Sequence, residues 1–147
     1  GIKVRGVGHL LTQIATCCKP VPDEPIAGYI TQGRGVTIHR NDCANLLDLK
    51  SHHPTRIIEV DWGEDAGLNY SVEVQVEAFD RPGLLKDITS VFLGEQINVT
   101  SANTYTDRKT FIAHMALTLE IKGVEQLSRV LDKIAQIPNI MTVQRKG

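Results

Sequence analysis

The chain has 147 residues, 41% of them hydrophobic and 22% charged, the composition of one ordinary folded domain or two very small ones. Sixteen Lys and Arg against seventeen Asp and Glu leave a formal charge of −1, which excludes a globally basic nucleic-acid binder but not a local basic face. No apolar run reaches the ~18 residues that span a bilayer, and the first eight residues lack the apolar core of a secretory leader. Three cysteines, two of them adjacent, make a poor disulfide framework, so a reducing compartment, the cytoplasm, is expected and no membrane.

In chain order, Leu10, Leu11, Ile14 and Ala15 have helical spacing and predict a short helix over residues 8–16, ending near Cys17 and Cys18. Pro20 and Pro22 then interrupt regular structure. Residues 26–31 and 36–40 read as two short strands, with Gln32-Gly33-Arg34-Gly35 as the hairpin turn. Asn41 or Asp42 can cap a helix reaching Leu49, with Ala44, Leu46 and Leu47 facing inward. Residues 55–62 read as a third strand. About sixty residues with few aromatics give a marginal core, so a staple such as a metal is expected.

The acidic, glycine-containing run Trp62-Gly63-Glu64-Asp65-Ala66-Gly67 reads as a linker. The domains expected are 1–66 and 67–147. After the linker, Tyr70, Val72, Val74, Val76 and Ala78 alternate with polar residues, as in a strand with one buried face. Leu84, Leu85, Ile88, Val91 and Phe92 lie on one helix face. Residues 97–105 and 110–121 read as strands joined by a turn over Thr106-Asp107-Arg108-Lys109. The second is expected to bury Phe111, Ala113, Met115, Leu117 and Leu119. Val124, Leu127, Val130, Leu131 and Ile134 trace a second helix, which Pro138 stops before a last strand at 140–144. The fold class is α+β: a small Cys/His-containing α/β module followed by a βαββαβ, ferredoxin-like unit with both helices on one face of an antiparallel sheet.

Three groups of residues could carry chemistry. Cys17, Cys18, His39 and Cys43 supply the soft and borderline ligands of a tetrahedral zinc. His39 and Cys43 stand four apart at a strand end and helix start, but the adjacent cysteines converge only if the backbone turns at them. Spacing alone equally permits small buried thiols beside a surface histidine. Four protein ligands would leave no open position for catalysis. The second group is Asp80-Arg81-Pro82-Gly83-Leu84, between the first strand and helix of the second half. Asp80 can cap the helix, Pro82 suits its first turn, and Gly83 permits close approach of a small carboxylate such as an amino acid. The same residues also make an ordinary strand-to-helix turn, the reading the turn alone favours. The third group, Lys19, Arg34 and Arg40, could meet RNA phosphates, although residues 1–60 hold only seven basic side chains against five acidic ones. An exposed Arg in a turn is more often simply solvated. No Walker motif, G-x-S-x-G or nucleophile–base constellation is present, so an enzymatic fragment is not expected.

Cys17-Cys18-Lys19-Pro20-Val21-Pro22 and the run from Gly28 to Cys43 resemble the RelA/SpoT stringent factors, the (p)ppGpp synthetases and hydrolases. The likeness is to their conserved-cysteine module, the zinc-finger or ribosome-intersubunit domain. Thr31-Gln32-Gly33-Arg34-Gly35 and Trp62-Gly63 look closer to the RelA branch. The stretch with Asp80-Arg81-Pro82-Gly83-Leu84-Leu85 resembles their ACT domain. The resemblance covers essentially the whole chain. It implies a non-catalytic C-terminal fragment of a GTP pyrophosphokinase that docks on ribosomal RNA and tRNA and restrains or releases the synthetase. It implies a structural zinc on Cys17, Cys18, His39 and Cys43, with Asp42 matching the acid before the last cysteine, and a homodimer through the ACT or cysteine domain. An amino-acid-sensing ACT module regulating an attached enzyme is the alternative.

Overall fold

The structure is a computed structural model that describes residues 4–8, 10–33, 35–63 and 70–146. The chain forms two compact units, residues 1–68 and 69–146. Of the expected linker, only Trp62 and Gly63 lie among the described residues.

The first unit is built on a four-stranded sheet in the order β2-β4-β3-β5, from β2 (Thr12–Ile14), β3 (Ile26–Ile30), β4 (Val36–Arg40) and β5 (Ile57–Glu59). Strands β3 and β4 form the expected antiparallel hairpin, with Ile30 opposite Val36 and Ile26 opposite Arg40. Thr31 N–H closes the loop on Gly35 C=O at 2.9 Å. The helix expected over 8–16 is absent. Residues 12–14 instead run parallel to β4, with Ile14 opposite Ile38. Sheet pairing outweighs a helical period only a few residues long, since a single turn of helix is marginal without packing. The strand expected over 55–62 is divided into a 3-10 turn (Pro54–Arg56), β5, and β6 (Asp61–Trp62), which pairs with β1 (Val4–Arg5).

Helix α1 covers Ala44–His52. Neither Asn41 nor Asp42 caps it; Cys43 occupies the N-cap without a side-chain bond. Of the residues expected to face inward, Leu46 is buried, while Ala44 and Leu47 are exposed. Successive strand residues point to opposite faces, and two buried clusters result. One gathers Ala15, Cys18, Cys43 and Leu46. The other gathers Ile26, Val36, Ile38 and Val60. Gly28 sits where a Cβ would come within 2.8 Å of Val36 Cγ1 and 2.9 Å of Ile58 Cγ1, so the sheet packs through the missing side chain.

The second unit follows the βαββαβ order expected: β7 (Tyr70–Phe79), α2 (Leu84–Gly94), β8 (Val99–Thr106), β9 (Ile112–Ile121), α3 (Val124–Ala135) and β10 (Ile140–Arg145). The sheet order is β10-β7-β9-β8, every pair antiparallel. Val72, Val74, Val76 and Ala78 on β7 and Ala113, Met115, Leu117, Leu119 and Ile121 on β9 form one buried face. Leu84, Ile88 and Phe92 of α2 and Leu127, Val130 and Ile134 of α3 complete that core. Leu85, expected on the same stripe, is half exposed. Phe111 was expected in the core and is not. It precedes β9 with φ of 60° and is 68% exposed, because the turn closed by Phe111 N–H on Asp107 C=O at 2.8 Å carries it out of the strand alternation. The opposite sheet face is open. It bears the stacked rings of Tyr105 and His114, 4.9 Å between centroids, with Glu77 Oε1 3.6 Å from His114 Nδ1.

Candidate metal centre and ligand cleft

The three thiols and His39 converge because three local devices meet. Strand β2 ends beside β4, and Ala15 N–H donates to Ile38 C=O at 2.9 Å. The chain then coils through a single turn in which Lys19 N–H returns to Ala15 C=O at 3.0 Å, with Lys19 at φ 41°. This turn is what lets adjacent cysteines point to one place. His39, near the end of β4, lies opposite Ala27 on the sheet face that carries the Ala15/Cys18/Cys43/Leu46 cluster. Beyond β4, Cys43 N–H bonds Arg40 C=O at 3.0 Å, closing a tight turn that sets Cys43 at the start of α1.

The ligand atoms lie within 4.8 Å of one another. Cys17 Sγ is 4.0 Å from Cys18 Sγ, 3.6 Å from Cys43 Sγ and 3.5 Å from His39 Nδ1. Cys18 Sγ is 3.8 Å from His39 Nδ1. A zinc ion with ~2.3 Å bonds to sulfur and ~2.05 Å to nitrogen separates tetrahedral ligands by about 3.8 Å (S–S) and about 3.6 Å (S–N). The four residues therefore fit zinc in chemistry and in spacing. Three of them are buried and Cys17 alone reaches the surface.

Without a metal, Cys18, His39 and Cys43 are held away from their ordinary acid–base behaviour. Burial pushes the Cys18 thiol up to about 12, against the opposing pull of Arg40 N–H, which donates to Cys18 Sγ at 3.4 Å. Burial lowers the pKa of His39, keeping the imidazole neutral and ready to ligate. At Cys43 burial disfavours the thiolate, but the N–H groups of Leu46 and Asn45 at the helix start and the neighbouring thiols outweigh it, and its pKa falls.

The residues considered for RNA differ among themselves. Arg34 lies outside the described residues. Lys19 sits in the turn behind the cysteines and is partly buried. Arg40 was expected to be exposed and is not: it grips Asp42 through Nε at 2.9 Å and Nη2 at 3.0 Å, with Glu24 3.9 Å away. Asp42, expected as a cap, is thus the partner of Arg40.

In the second unit, Asp80, Arg81, Gly83 and Leu84 do come together. They line a cleft of about 340 Å³ with Leu85, Lys86 and the strand residues Thr104, Thr106, Ala113 and Met115. Pro82 is outside it. Asp80 is not the helix cap; it accepts a hydrogen bond from Thr106 Oγ1 at 2.9 Å. Gly83 holds the N-cap position with φ of 82°, which places Pro82 before the helix rather than in its first turn. Arg81 binds Asp87 at 2.8 Å and Pro138 C=O at 3.2 Å, pinning the turn to α2 and to the start of β10. The two threonines and Met115 were missed from sequence because only the pairing of β8 with β9 brings them beside the turn. Among the described residues, no helix is long and apolar enough to cross a membrane.

Two family models match the chain: the RelA/SpoT RIS domain over residues 2–63 and the ACT domain over residues 66–145. GTP pyrophosphokinase of Escherichia coli K12 is 44% identical over 144 residues, 98% of this chain and 19% of its own length. GTP pyrophosphokinase of Streptomyces coelicolor is 38% identical over 145 residues, 99% of this chain and 17% of its own length. The chain thus spans under a fifth of the length of these relatives. Among solved structures, the ACT domain of the Chlorobium tepidum GTP pyrophosphokinase covers 52% of this chain and 97% of its own, at 19% identity and a TM-score of 0.47. The RIS and ACT domain matches in series place this chain in the RelA/SpoT family, aligned with the C-terminal region of the GTP pyrophosphokinases.

Proposed function

We propose that this chain is the regulatory region of a cytoplasmic GTP pyrophosphokinase, with no catalytic centre of its own, and that its first unit is a zinc-stapled module docking on ribosomal RNA and tRNA. The observation that carries this reading is the convergence of Cys17, Cys18, His39 and Cys43 in a unit matching the RelA/SpoT RIS domain. Four ligands would fill a zinc and leave no site for water, so the ion is structural. Bound there, it would join the turn after β2, the end of β4 and the start of α1, the segments that carry Lys19 and Arg40. Three free thiols suit a reducing compartment.

RNA docking is tested by cosedimentation with ribosomes over a range of salt. Each lost phosphate contact should lower the salt slope by about one. Arg34→Glu should weaken association and flatten that dependence while leaving the melting curve in place. Arg40 is a poorer probe, since its replacement also removes its ion pairs with Asp42 and Glu24. Equal sedimentation of parent and Arg34→Glu at every salt concentration would count against docking through Arg34.

The cleft beside Gly83 supports a second reading, in which the ACT domain senses a small amino acid. Titration with branched-chain amino acids should then shift the amide signals of residues 81–85 first. No shift at millimolar concentrations leaves the docking reading alone. Pairing of two chains through the ACT or cysteine domain belongs to the same proposal and is read from the solution mass.

A further inference from the structure

We propose that Cys17 and Cys43 form a disulfide when the chain meets a peroxide, and that this modification dismantles the metal centre. The inference rests on the zinc reading only for its consequence; the bond itself follows from the thiol geometry.

Cys17 Sγ lies 3.6 Å from Cys43 Sγ and 4.0 Å from Cys18 Sγ. Closing the first gap to the ~2.05 Å of a disulfide asks each sulfur to move by less than about 1 Å. Cys17 is the one thiol at the surface, so it meets a dissolved oxidant first. It sits in a short turn between β2 and the buried Pro20, which can rotate its side chain without breaking a strand pair. Cys18 is a poorer partner. It is adjacent to Cys17, and a bond between neighbours strains the intervening peptide. It is also held by Arg40 N–H at 3.4 Å.

The chemistry balances with peroxide as the two-electron oxidant. Cys17 gives up its proton as its sulfur attacks one peroxide oxygen; the O–O bond breaks, a sulfenic acid forms, and the departing oxygen takes that proton and leaves as water. The Cys43 thiolate then attacks Cys17 Sγ and expels the hydroxyl as a second water once protonated. Two thiols lose two electrons and two protons in total; peroxide gains them. Zinc takes no part in the electron transfer. With Cys17 and Cys43 bonded to each other, only Cys18 and His39 remain as donors, too few to hold the ion.

The test treats the purified 147-residue chain with one equivalent of hydrogen peroxide. Intact mass and peptide mapping identify the cross-link, and a chromophoric chelator follows zinc release. The expected product is lighter by two hydrogens, carries a Cys17–Cys43 linked peptide, and reverts with dithiothreitol. Metal should leave in proportion to the cross-link. A Cys17–Cys18 link as the main product, or Cys17 halted at sulfenic or sulfinic acid with Cys43 still free, would overturn the proposal. Cross-linking in a chain that held no zinc beforehand would support the bond while removing the zinc reading. Cys18→Ser should still form the same cross-link, and its failure to do so in a chain whose circular dichroism matches the parent would also count against the pairing.

Discussion

The residues that decide the first unit titrate in opposite directions. In metal-free protein His39 has its pKa lowered from 6.5 by burial. The unfolded chain then binds a proton before the folded one, so stability is present above pH ~6.5 and declines as the pH falls through the folded value. Cys18 is raised from 9.0 to about 12 by burial. Here the folded chain keeps the proton longer, so stability is present below pH ~9 and is lost as pH rises towards 12. Melting of the chelated chain against pH should show the first unit most stable between these limits and weaker on both sides. A flat profile across pH 5 to 10 would mean that neither group is buried as described. With metal bound, the acid side should dominate, since protons compete for the ligands. The four candidate residues were legible in the sequence because zinc restricts ligand types so tightly. Their convergence was not, because the turn from Ala15 to Lys19 depends on a hydrogen bond and a positive φ that spacing does not reveal. Gly83 makes a further point at this scale. A Cβ there would meet Arg81 Nη1 only at 3.7 Å, an ordinary contact, so substitution does not crowd the cleft. Its φ of 82° is the constraint. Gly83→Ala should cost the second unit about 1 kcal/mol in chemical denaturation, and Gly83→Asn less, since Asn tolerates the left-handed region.

At the scale of elements, long regular patterns were legible and short ones were not. The second unit has ten-residue strands β7 and β9 in full register, so the period of two shows over many residues. Helices α2 and α3 likewise repeat their apolar face over about three turns. In the first unit the strands have five residues or fewer, and tertiary pairing decides their type. The segment at 12–14 shows this: its helical spacing is outweighed by parallel pairing with β4. Gly28 is the element-level residue that sequence pattern overlooks. It lies mid-strand, where glycine ordinarily weakens a sheet. Here Val36, Ile58 and Val60 fill the space its side chain would occupy. Gly28→Ala should therefore destabilise the first unit by about 1–3 kcal/mol through overpacking, despite the better strand propensity of Ala. Urea denaturation followed by signals of the first unit measures it. An unchanged or raised midpoint would show that these side chains can move aside.

For the whole molecule, the two units differ in what holds them. The second carries a continuous apolar core between one sheet face and two helices. The first divides its core into two small clusters and places two cysteines, Cys18 and Cys43, in one of them. A metal bound there would contribute directly to the folding free energy of the first unit. Chelation should accordingly lower the melting temperature of the first unit while amide signals of residues 70–146 keep their dispersion. Cys43→Ser should reproduce that pattern without chelator. The regulatory reading depends on this staple, because a metal on the four residues would tie the turn after β2, the end of β4 and the start of α1 to one ion. Elemental analysis of the purified chain is the direct measurement. It should return about one zinc per chain, and none in Cys43→Ser. A fully folded parent chain without metal, whose three thiols all react freely with a thiol reagent, would contradict it.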